Sequence, residues 1–336
     1  MTRNIGLRTA GPALITALLL SACQTPAIVP SGPAIVPKPV DTAPAVSPRV
    51  AAAAEVLTRM AGMQERLYRV ASPLLINNAE LCKNQARNLL GFTARNRYWY
   101  PGDYNEAAVV AFGMGERLQV TGVLAGSGAA RAGLRRGDNL ISAGGKQLPV
   151  GPNASTSAGA VFGPLVASQA SLPLLIERDS RQRELTVPVT RACAFQIEIG
   201  NADHVNSYAD GSRILVTRGM YEFAENDAEL AVILAKGMAH NILNHATLTR
   251  STGTLSSVID NLARVRPDTS MMIGSAGIKA MPAEMDMAAE KLSMQLLTRA
   301  GYRTDAAAPF WRRLASTYPA TVLNGYVANH PATGKK

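Results

Sequence analysis

The sequence predicts an α+β chain, mainly helical with a small sheet, into which a second, β-rich block is inserted. Three observations lead there. Between Ala51 and Leu75, the residues Val56, Leu57, Met60, Met63 and Leu67 recur at helical spacing, the mark of an amphipathic helix. From Cys82 to about Thr190, short apolar runs alternate with Gly-rich turns, a strand-and-turn pattern. From Phe195 onward, "RILVTRGM" reads as a strand closing at Gly219, and two long helical patterns follow. The first opens on Asn226 with Glu229 three residues later, a capping box, and continues through Leu230, Ile233, Leu234, Met238, Ile242 and Leu243. The second, "AEMDMAAEKLSMQLLTRAGYRT", ends near Ala300–Gly301.

The N-terminus carries its own instructions. Arg3 and Arg8 precede an apolar run, "GPALITALLL", too short to span a bilayer comfortably and so read as a signal segment over residues 1–22. It ends in Leu20-Ser21-Ala22-Cys23, which resembles the bacterial lipobox. That resemblance implies lipidation of Cys23 and a membrane partner through the lipid anchor. Gln24 after the cysteine implies outer-membrane sorting, with the body facing the periplasm. Residues 23–50 are rich in Pro, Ala and Val and contain "PAIVP" twice, which predicts a semi-rigid extended tether.

Hydrophobic residues make up 47% of the chain, enough for real cores. The net charge of +10 favours anionic surfaces or acidic partners, while 5% aromatics and the lack of long Lys/Arg runs argue against nucleic acid. Beyond Cys23, the remaining cysteines are Cys82 and Cys193. An even pair in an oxidising compartment predicts a disulfide; the other reading is two buried thiols. A bridge would close a loop worth about 4–5 kcal/mol on the chain-entropy estimate.

Within residues 82–193, "GVLAGSGAARAGLRRGDNLISAGGKQL" (Gly122–Leu148) resembles the PDZ signature. Upstream, "LLGFTAR" resembles the loop with which that family binds carboxylates. The resemblance implies that Leu90, Gly91 and Phe92 capture a peptide C-terminus through backbone N–H groups, the peptide adding as a strand. The alternative is an ordinary strand-entry turn with Phe92 in the core.

The stretch "AKGMAHNILNH" (Ala235–His245) occupies the place of an H-E-x-x-H zinc motif, in which histidines four apart share a helix face around a base. Together with "ADGSRILVTRGM", "ENDAELAVILA", "KLSMQLLTRAGY" and "NHP" at His330-Pro331, it resembles the zinc metallopeptidase family of the CAAX prenyl protease and HtpX, peptidase family M48. The resemblance implies a zincin-like domain over residues 194–336, with the helix of residues 51–81 packed on it. It also places the family's functional positions. The first zinc ligand falls on Lys236, the base on Gly237, the second ligand on His240, the third on Ala288, and a further acidic position on Glu290. A protonated lysine has no lone pair for zinc and glycine has no side chain. His245 lies roughly 140° around the helix from His240, so the two are not expected to share a face. His240 and Asp286 are the residues left to any residual metal. Lys236 is expected to pair with Asp286 or Glu290, or else to snorkel to solvent.

These positions predict a pseudopeptidase without zinc or other cofactor. It would bind C-terminal or unfolded segments of envelope proteins through its PDZ-like module and an inactive cleft, with "RILVT" as edge strand. The alternatives are an active periplasmic zinc metalloendopeptidase with a rearranged site, and a purely structural envelope lipoprotein.

Overall fold

The computed structural model describes residues 46–268 and 281–318. Cys23, the signal segment, the tether up to residue 45 and His330-Pro331 lie outside the described residues. No described helix is long and apolar enough to cross a membrane.

Helix α1 (Pro48–Asn77) begins inside the segment read as tether, because Ser47 caps it and Pro48 supplies a first helical residue that needs no N–H partner. Its N-terminal half buries Val50, Ala53 and Leu57 in a small core shared with the helix Asp103–Phe112. Its C-terminal half buries Met63, Leu67, Val70 and Leu74 in the main core. Asn78 closes the helix: its amide donates to Leu74 O at 2.9 Å and to Leu296 O at 3.0 Å, tying this end to a distant helix.

Cys82 and Cys193 are joined in a disulfide that spans 111 residues of sequence. Just inside it, β1 (Ala86–Leu89) pairs antiparallel with β8 (Thr190–Cys193). Between them run β2 (Phe92–Arg95), α2 (Asp103–Phe112), β3 (Gln119–Val123), α3 (Gly128–Arg131), β4 (Asn139–Ala143), β5 (Lys146–Gln147), α4 (Ala154–Ser168), β6 (Ser171–Arg178) and β7 (Arg181–Pro188). Five of these strands form a sheet in the order β2-β3-β4-β6-β7, with β5 paired to β4. Leu118, Val120, Leu140, Leu172, Leu174 and Ile176 fill its core, against Phe162 and Leu165 of α4. The motif Gly137-Asp138 has a structural role here. The buried Asp138 carboxylate takes a two-pronged bond from Arg178, 2.6 Å at each oxygen, and one from the Arg135 N–H. Gly128 is required for contact: a Cβ would lie 1.8 Å from Pro188 O.

The last block holds β9 (Gln196–Gly200), β10 (Ser207–Ala209), β11 (Arg213–Thr217), α5 (Arg218–Phe223), α6 (Asp227–Ile242), α7 (His245–Leu248), α8 (Thr252–Leu262), α9 (Ala283–Arg299) and α10 (Ala307–Thr317). Two expectations are corrected here. The strand "RILVT" is not an edge: β11 lies between β10, antiparallel, and β9, parallel. The missed signal was "QIEIG", whose alternating Ile197 and Ile199 are buried on the way into this sheet. Nor does the strand run to Gly219, since the Thr217 hydroxyl caps α5 by accepting from Met220 N.

Helix α6 is capped as its sequence implies, Asn226 Oδ1 accepting from Glu229 N at 3.1 Å. The return half of the box is shifted by one residue, Glu229 Oε2 accepting from Glu225 N at 2.9 Å. From Leu230 through Asn241 every residue of α6 is buried, so the helix runs through the core rather than over it. It packs lengthwise on α9, with Trp311 of α10 buried beside them.

Candidate functional site

The seam between α6 and α9 carries the residues singled out from the sequence. Lys236 is 3% exposed and Asp286 0%. The Lys236 Nζ lies 2.9 Å from Asp286 Oδ1 and 3.3 Å from Glu290 Oε2, so it pairs with both expected partners rather than reaching solvent. One turn along α6, His240 Nε2 lies 3.5 Å from the same Asp286 oxygen. Ala288 is exposed and takes no part; the side chains of α9 that reach the seam are Asp286 and Glu290.

His245 departs from expectation. Its Nδ1 lies 2.9 Å from that of His240, because α6 ends at Ile242 and the chain does not continue as helix. Asn244 takes a left-handed conformation at φ 55°, and the turn folds His245 back over the helix end. Burial, then the charge of Lys236 and the neighbouring ring of His245, holds His240 well below the ordinary histidine range. Burial lowers His245 as well, against a pull from Asp286. Both rings are therefore neutral at pH 7, and one Nδ1–H donates to the other Nδ1.

Gly237 also has a reason that the sequence does not disclose. A Cβ there would lie 2.9 Å from Ile214 Cγ2, so glycine lets α6 settle against β11. The space that a base side chain would need is occupied by the core.

A catalytic zinc, which the resemblance implies, requires about three protein donors with lone pairs aimed at one point. Among the described residues no three His, Cys, Asp or Glu side chains form such a set. Those that do converge, His240, Asp286 and Glu290, are arranged around an ammonium group, which would repel a divalent cation at the same place. The donor set does not fit the metal.

Leu90, Gly91 and Phe92 lie at the other candidate site, the start of β2. This strand has a partner on one side only. Gly91 has φ +76°, and a Cβ on it would meet Ser127 Cβ at 2.6 Å; its carbonyl accepts from Leu124 N at 2.8 Å. That bond flanks the Phe92–Val123 pair and makes it a non-hydrogen-bonded pair, so the Phe92 N–H and C=O point to the open edge. Val120, opposite Ala94, directs its own N–H and C=O toward β4, which turns Ala94 outward in the same way. No described residue accepts from the backbone N–H of Leu90 or Gly91. The Phe92 ring is half-buried on the core and meets Phe162 of α4 edge to face at 6.0 Å, so the turn also serves the packing.

The chain matches the family described as Peptidase family M48 over residues 167–335. Among solved structures it is similar to one titled "HtrA-type protease AlgW with decapeptide", at 22% identity, over 32% of this chain and 30% of that chain, with a TM-score of 0.24. The aligned part is thus less than a third of that chain's length. No curated protein matches. The family match begins within α4 and continues across the α6–α9 seam, and over that extent the protein belongs to peptidase family M48.

Proposed function

We propose that the protein is a pseudopeptidase that grips polypeptide without cutting it. The observation that carries this reading is the Lys236 ammonium between Asp286 and Glu290, at the place where hydrolysis would need open metal ligands. On this reading residues 194–336 are a zincin-like domain with a degenerate motif, Lys236, Gly237 and Ala288 standing at its catalytic positions, and zinc is not its cofactor. Residues 82–193 act as a PDZ-like module. Leu90, Gly91 and Phe92 receive a C-terminal carboxylate, and the peptide pairs with the outward groups of β2. Lipidation at Cys23 would hold the body at the outer membrane, facing C-terminal or unfolded segments of envelope proteins.

Strand addition at "RILVT" is no part of this function, because β11 is paired on both sides. Binding is assigned to β2 instead. The test combines three measurements on the chain purified without chelator or affinity nickel. Elemental mass spectrometry should find zinc at background level, and fluorogenic peptides should stay intact. Peptides with a free carboxylate should bind, and amidation should weaken them about tenfold. Near-stoichiometric zinc with peptide cleavage would overturn the reading.

A further inference from the structure

Arg95, at the far end of β2, carries a guanidinium that lies over the exposed ring of Trp99, 4.3 Å from its centre. No carboxylate of the described residues pairs with it within 4.0 Å. Glu198 of β9 feels its charge without forming an ion pair; burial pushes that carboxyl up and Arg95 pulls it back. The backbone that carries this ring is tied to a buried residue, Asn96. Trp99 N donates to Asn96 O at 3.1 Å. The Asn96 amide in turn donates to Glu116 O at 2.8 Å and Gly151 O at 2.7 Å. Tyr98 is fixed alongside through its hydroxyl, 2.7 Å from Glu116 Oε1. A guanidinium stacked on an indole keeps its N–H edges available for a planar anion.

Strand alternation says which ligand residue would meet it. Phe92 and Ala94 turn their side chains to the sheet face that carries α4, so Thr93 and Arg95 project from the opposite face. A peptide with its carboxylate at Leu90–Gly91 runs antiparallel to β2, and side chains directly across such a pair approach within about 5 Å. The residue facing Arg95 is then roughly three positions before the C-terminal one.

We propose that Arg95, stacked on Trp99, is the specificity subsite of the β2 edge, and that it selects ligands with Asp or Glu roughly three positions before the C-terminus. The proposal rests on β2 being the docking strand, and it names the ligand class: acidic peptides with free C-termini. The chain's net charge of +10 favours the same class at longer range.

The test is selection from a pool of octapeptides, randomised at every position with free carboxylates, on the immobilised full chain. Enrichment of Asp and Glu near the fourth residue from the end, lost in R95Q and weakened in W99A, is the expected result. For the best peptide, exchanging that acid for its amide should lower affinity about threefold to fivefold in the parent protein and have no effect in R95Q. Both substituted side chains reach the surface, and the melting temperature of each variant checks that it is folded. Enrichment at the C-terminal residue without acidic enrichment upstream would overturn the subsite and leave β2 as the docking strand. No enrichment at any position would overturn both.

Discussion

The two larger sheets among the described residues end in edges of opposite character. At β9 the outward backbone groups are taken by one side chain: Gln64 of α1 donates to Ile197 O and accepts from Ile199 N, both at 2.9 Å, and so imitates a neighbouring strand. At β2 the outward groups of Phe92 and Ala94 meet no described partner. Open edges recruit other chains, and folded proteins generally blunt them. A chain that seals one edge with a dedicated glutamine has the means to seal the other. The α6–α9 seam belongs with the sealed edge, its buried carboxylates answered by Lys236. Substitutions in sealed regions should therefore reduce stability, and substitutions at the open edge should reduce binding.

The largest expected loss of stability follows removal of the disulfide. C82A/C193A should destabilise the chain by about 4–5 kcal/mol, read from urea unfolding; a loss below about 1 kcal/mol would mean that β1 and β8 hold the loop ends unaided. Next, K236M leaves Asp286 buried beside an apolar side chain and should cost about 3–5 kcal/mol. An unchanged or raised unfolding midpoint would remove Lys236 from the structural ion pair.

The histidine pair makes the seam sensitive to acid. His240 and His245 sit below the ordinary value of about 6.5, so the unfolded chain binds protons that the folded chain refuses. Their contribution is fully present above that value and is lost as pH falls from it toward the folded values. H245Q should flatten the decline as pH falls below about 6.5, and an unaltered slope would place the titration elsewhere.

Two smaller effects bear on the edges directly. Q64A, which unseals β9, should cost about 1–3 kcal/mol and promote concentration-dependent association by light scattering. A94P removes an N–H that points away from the sheet, so stability should change by less than about 1 kcal/mol while peptide affinity falls at least about tenfold. Equal stability losses in both variants would erase the distinction between the edges.

The parts legible in the sequence were those with period and punctuation. Helices α1, α6 and α9 announced themselves by apolar spacing and caps, and the Lys236 pairing followed from a cation placed in a buried seam. What was missed lacked local signals. Helix α4 contains Gly159, Gly163 and Pro164, poor helix formers sustained by Phe162 and Leu165 in the core. The β6–β7 hairpin turns on Asp179-Ser180, with φ 53° and 58°, where glycine would have been the clearer sign. The close contact of Gly237 with Ile214 and the return of His245 depend on segments distant in sequence or on a turn after the helix. No spacing rule contains them.

The Cα atoms of Cys82 and Cys193 are 5.6 Å apart, so the whole segment between them leaves and re-enters the body through one doorway. A linker of about two residues would span that gap. The segment is therefore topologically portable: it could be cut out and the chain rejoined, or moved to another host as a single cassette. The scar would lie along α1: its N-terminal half shares a small core with α2, and Tyr68 rests where Gly122 gives it room, so excision would leave both stretches facing water.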